Sequence, residues 1–141
     1  MSYKDLPEGW PDRPVTEHLE DLLDLFVDME ARMKGALMIL VCDERYVPVQ
    51  PIMLDDVPKA MMCEELEQPL RRMAETIAEG FPGATALVAV ARSGPTSITL
   101  RDRAWGASLA RAFGGLVELI GVHVITPRGS RLIEAEAAEA A

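Results

Sequence analysis

Residues 86–102, ALVAVARSGPTSITLRD, decide how this chain folds. ALVAVA (86–91) is a short, unbroken apolar run, the pattern of a central strand covered on both faces. RSGPTS (92–97) reads as a loop. Thr99-Leu100-Arg101-Asp102 then carries the signature of a helix start, a Ser/Thr followed three residues later by an acid. Downstream, Trp105, Leu109, Ala112, Phe113, Leu116 and Ile120 fall on one face of a helix running up to Gly121. Gly114-Gly115 inside it costs about 1 kcal/mol per residue against Ala, so close approach to a neighbouring backbone is expected there. VHVIT (122–126) is a strand, Pro127-Arg128-Gly129 a turn, and Arg131 to Ile133 a short last strand.

Upstream, residues 1–14 hold three prolines and a glycine and cannot propagate helix or strand. Thr16 reads as a helix N-cap, with Glu17, Glu20 and Asp21 favouring the positive end of the dipole. Leu19, Leu22, Leu23, Phe26, Met29 and Met33 form an apolar stripe, and Gly35 ends a helix spanning 16–34. ALMILVC (36–42), the polar turn Asp43-Glu44-Arg45 and YVPVQPIML (46–54) read as a hairpin. Pro48 and Pro51 cannot donate to a ladder, so the second strand belongs at a sheet edge or carries a bulge. DDVPKAMMC (55–63) is a connection. A helix over 64–80 follows, striped by Leu66, Leu70, Met73 and Ile77, and Pro69 places its firm start between Glu65 and Gln68. The order α-β-β-α-β-α-β, with a possible last β, predicts an α/β domain: one central mixed sheet with an early hairpin and helices on its faces. The domain spans 16–133, after an arm of 1–15 and before a Glu/Ala-rich tail of 134–141.

Composition narrows the function classes. The chain has 141 residues, 49% hydrophobic and 26% charged, the balance of a single globular domain. Acids outnumber bases 23 to 14, giving a net charge of −9, and the basic residues are scattered. Nucleic acid and anionic membrane surfaces both require clustered Lys and Arg, so neither is an expected partner. The N-terminal MSYKDLPEGWPDRP lacks an apolar core segment, and the longest apolar run is too short to span a bilayer. A reducing, cytoplasmic setting with Cys42 and Cys63 as free thiols is the expectation.

With these residues in view, the chain resembles the JAB/MPN domain, most closely its RadC-like bacterial branch. That family's metal loop reads His-x-His, then Pro, then Pro-Ser-x-x-Asp. Here LVAVA runs into RSGPTSITLRD, and Thr99-Leu100-Arg101-Asp102 matches the Ser-x-x-Asp portion. GVHVITPRGSRLI (121–133) resembles the family's closing segment. Counted back from Asp102, the family's two histidines fall on Val90 and Arg92. Neither supplies an imidazole, and no His lies between 19 and 122. The resemblance therefore implies the fold without the metallopeptidase site: no metal, no cofactor and no catalytic residue is assigned.

Other candidates have two readings each. Arg92, Ser93, Thr96, Ser97, Thr99 and Asp102 could hold a small anion at a strand-to-helix loop, or form an ordinary turn. Asp102 is a relic ligand, a partner for Arg92, or simply a carboxylate at a helix N-terminus. Met61 and Met62 are an adaptable contact surface or a satellite cluster of their own domain. Cys42 ends a buried strand and should be inert; Cys63 is the better accessible thiol. His18 and His123 read as isolated histidines. The leading expectation is a binding or scaffolding domain working through protein contacts, most simply as a homodimer. An anion or metabolite sensor at 92–99 is the rival, and a non-metal enzyme the third.

Overall fold

A computed structural model describes residues 9–55 and 63–133. Its elements are α1 (Leu19–Phe26), α2 (Met29–Lys34), β1 (Ala36–Cys42), β2 (Pro48–Asp55), α3 (Cys63–Gly80), β3 (Thr85–Ala91), α4 (Leu100–Phe113), β4 (Glu118–Thr126) and β5 (Gly129–Leu132). The strands form one five-stranded sheet in the order β2-β1-β3-β4-β5. Neighbours are antiparallel except β3 and β4, which run parallel because α4 carries the chain across between them. This is the expected mixed α/β sheet with an early hairpin.

The two apolar runs read from the sequence sit at its centre. Every residue of β1 and β3 is buried. One face, with Leu37, Ile39, Val41, Val88 and Val90, packs under Leu70 and Ile77 of α3 and Trp105, Leu109 and Phe113 of α4. The other, with Met38, Leu40, Leu87 and Ala89, packs under Leu22 and Leu23 of α1, then Val27 and Ala31. β2 lies at the sheet edge, where the two prolines cost least.

Five local expectations need correction. The helix expected over 16–34 is two helices. Val27 is extended (φ −117°, ψ 98°), and the Asp28 carboxylate accepts from the Ala31 amide at 2.8 Å, capping a new helix. The apolar spacing from Leu19 to Met33 continues without interruption, so periodicity alone could not show the break; Met29 and Met33, expected on the packed stripe, are exposed, and α2 buries Ala31 and Arg32 instead. Thr16 is not the cap either: it lies exposed in a 3-10 turn, Val15–Glu17, and His18 occupies the N-cap position of α1 without a side-chain bond. Buried Val15 donates its amide to the Tyr46 carbonyl at 2.8 Å, and α1 begins after this anchor.

α3 starts at Cys63 and runs straight through Pro69, whose position is exposed. The buried stripe of Leu70, Ala74 and Ile77 outweighs the amide that proline lacks. Finally, Gly114-Gly115 stops α4 instead of admitting a neighbour. A Cβ on Gly114 would stand 2.8 Å from the Ala110 carbonyl oxygen, and Gly115 has φ +77°. Arg71 of α3 donates to the carbonyls of Arg111 and Gly114 at 3.1 and 3.0 Å, tying off the helix end. The closing strand is correspondingly 129–132, one to two residues earlier than expected.

Arg32 holds the α1–α2 corner to the sheet. It is 6% exposed. Its Nε donates to the Val27 carbonyl at 3.0 Å, Nη1 to the Thr126 carbonyl at 3.3 Å, and Nη2 to the Asp24 carboxylate at 2.8 Å. Truncation would leave two carbonyls and a carboxylate without this partner. Arg32→Ala is expected to lower stability by about 3 kcal/mol, measured by urea denaturation, whereas exposed Arg103→Ala should fall within about 0.5 kcal/mol of wild type.

Candidate functional site

The loop from β3 to α4 is built around one guanidinium. Arg92 follows the last residue of β3 and continues the pairing with β4 through its amide, which donates to the Ile125 carbonyl at 3.0 Å. An arginine side chain has five N–H donors. Nε and Nη2 meet the Asp102 carboxylate as a bidentate pair at 2.9 and 2.8 Å. Nη1 donates to the carbonyls of Ser93 (3.0 Å) and Pro95 (2.8 Å), and Nη2 also donates to that of Ser97 (3.0 Å). All five donors are engaged. Gly94, at φ +99°, lets the loop curl around the guanidinium.

Asp102 serves two structures at once. It is 1% exposed. Its Oδ2 accepts from the Thr99 amide at 2.9 Å while the Thr99 hydroxyl accepts from the Asp102 amide at 3.1 Å, the reciprocal capping box expected for Thr99 and Asp102. Burial opposes the charged carboxyl, but the Arg92 and Thr99 hydrogen bonds outweigh it and hold the pKa below the ordinary aspartate range. The partner and helix-terminus readings of Asp102 therefore hold together. Ser93 and Ser97 contribute backbone carbonyls to the web, and Thr96 lies half-buried in the same loop. Of the two readings of this loop, an anion grip or an ordinary turn, the five bonds of Arg92 leave no N–H for the first.

The remaining candidates separate. The Cys42 thiol is buried and pushed up to about 12 by burial, with the Asp43 charge adding to it, as an inert cysteine requires. Cys63 opens α3; its side chain, like Met61 and Met62, lies outside the described residues. No group of three or more His, Cys, Asp or Glu side chains suited to a metal ion occurs among the described residues. None of the described helices is long and apolar enough to cross a membrane.

The sequence missed a convergence. His18 and His123, the only histidines of the chain, line the same cleft of about 460 Å³ between α1 and the β4–β5 hairpin. One wall is the end of the 3-10 turn and α1, with Glu17, Glu20 and Asp21; the other is β5, with Ser130 and Arg131. His18 is 8% exposed, and both ring nitrogens are cut off from solvent without a hydrogen-bond partner. His123 sits opposite Leu132 in the ladder. Its pKa is lowered by burial. Alternation puts His123 on the face of Ile125, the face that α1 covers, but which face α1 covers is not written in its own stripe.

Compared with known proteins, the chain matches no family model and no curated sequence.

Two outcomes follow. Lysine cannot make the planar two-point contact with Asp102 or reach three carbonyls besides, so Arg92→Lys should cost about 2 kcal/mol, read as a lowered urea midpoint. For His123, the folded pKa lies below the unfolded one, so the unfolded chain binds the extra proton. Its contribution to stability is complete above about pH 6.5 and declines as pH falls below that value. Urea midpoints between pH 7 and pH 5 should fall for wild type and fall less steeply for His123→Gln.

Proposed function

We propose that this chain is a non-catalytic, JAB/MPN-like domain that acts through protein contacts, in its simplest form as a homodimer. One observation carries the reading. At the loop corresponding to the resembled family's metal site, a guanidinium stands where an imidazole would be needed, and it is bound to the carboxylate that would complete the ligand set. A fixed positive charge opposes a metal ion at the same point. Moreover, the charge is compensated and all its donors are used, so the loop serves as a rigid corner between β3 and α4.

Contact surface is available elsewhere. Met29 and Met33, four residues apart on α2, are 53% and 56% exposed. Unbranched, polarizable methionines adapt to a partner's shape better than branched side chains do. The anion-sensor alternative at 92–99 loses its main support with the saturation of Arg92.

Light scattering in line with size exclusion, with metal analysis of protein purified without chelator, tests the reading. The expected result is a metal-free species of about twice the 15.4 kDa chain mass, reduced towards monomer in the Met29→Gln/Met33→Gln double variant. Stoichiometric zinc, or a monomer at all concentrations, would overturn it.

A further inference from the structure

We propose that His18 makes the start of α1 a proton-triggered flap, closed over the sheet at neutral pH and released when the ring takes up a proton. The flap is the segment Val15–Leu23, and it does not depend on the homodimer reading. His18 stands at the joint between the 3-10 turn and α1, in the N-cap position, with no side-chain cap bond. Val15, Leu22 and Leu23 are fully buried against the sheet face that carries Met38, Leu40, Leu87 and Ala89. The Val15 amide ties the segment to the Tyr46 carbonyl at 2.8 Å. Beyond the segment, Arg32 fixes Asp24 at 2.8 Å, so the end of α1 that can lift is the one bearing His18.

Both ring nitrogens of His18 are sealed from solvent without a hydrogen-bond partner. A protonated imidazole has two N–H donors and a full charge, and the closed site offers it neither an acceptor nor water. The N-terminus of a helix is also where a cation is least favoured, because the positive end of the dipole lies there. A proton can therefore be held only after the ring has left its site.

The surrounding charges push the same way. From the 3-10 turn and α1, Glu17, Glu20 and Asp21 line the cleft, with Glu17 and Glu20 exposed, so an emerging imidazolium meets carboxylates at the rim. From β4 comes His123, whose pKa burial lowers, and from β5 comes Arg131. Neither supplies a counter-charge. Beside Val15, the Tyr46 phenol is engaged with Glu118 at 2.6 Å. The closed form thus binds fewer protons than the open one, and closure is complete above about pH 6.5 and lost progressively below it. With protonation confined to the open form, one histidine of ordinary pKa raises the open fraction about 25-fold between pH 7 and pH 5. His123, uncovered by the same movement, raises the limit to about 600-fold.

Amide hydrogen exchange of the intact chain at pH 7 and pH 5, corrected for the intrinsic pH dependence of exchange, tests the flap. Protection of the Leu22 and Leu23 amides should fall at least about 25-fold on acidification and stay below that of β3 at both pH values. It should also be insensitive to about 1 M urea, because a local opening exposes little surface. His18→Phe keeps a ring but cannot take a proton, and it should remove about 25-fold of the fall. Unchanged protection between the two pH values would overturn the proposal. So would a fall that follows the β3 amides with their urea dependence, which is global unfolding, or an equal fall in His18→Phe. The comparison of α1 with β3 in the wild-type chain decides the matter even where His18→Phe fails to fold.

Discussion

β1 and β3 present no side chain to solvent on either face, and the rest of the molecule is arranged around that constraint. A strand buried on both sides needs a layer above and a layer below. α3 and α4 supply one layer, α1 and α2 the other, and the parallel crossover through α4 is the connection that places β4 beside β3. The alanines of β3 keep the central strand thin. Bulk is supplied instead by Leu and Ile of β1 and by Trp105 and Phe113 of α4.

Enclosing the sheet creates polar problems at the ends of its strands, because turning backbone leaves carbonyls that the ladder no longer satisfies. Two arginines answer them on opposite faces. Arg32 collects carbonyls from the α1–α2 break and from the end of β4, the latter 94 residues away from it in sequence. Arg92 collects three from its own loop and holds the start of α4 through Asp102. The planar fork suits this work, since each guanidinium can reach acceptors in several directions while keeping its charge compensated by an aspartate. The same saturation that makes these residues good braces makes them poor ligand binders.

Much of this fold was legible from the chain. The runs 36–42 and 86–91 became the central strands, Pro48 and Pro51 marked the edge, and Thr99 with Asp102 marked the start of α4. What stayed hidden depends on contacts distant in sequence. The break at Val27 interrupts no hydrophobic period, and the carbonyl it frees is met by Arg32, five residues on. Thr16 has the chemistry of a cap, yet the Val15–Tyr46 bond fixes the entry angle first. At the site, the pairing of Arg92 with Asp102 could be read as one option from their spacing around a loop. The partnership of His18 with His123 could not, because it requires knowing which face of the sheet α1 covers.

The prolines of β2 have an effect beyond the monomer. A sheet edge with regularly spaced free N–H and C=O groups is a template on which another extended chain can lengthen the sheet indefinitely. Two of the eight residues of β2 have no N–H to offer, and the opposite edge, β5, is only four residues long. Both growing ends of a would-be fibril are thus blunted, one by chemistry and one by length. A domain so protected can carry two fully apolar strands at its heart and still be kept at high concentration without polymerising edge to edge.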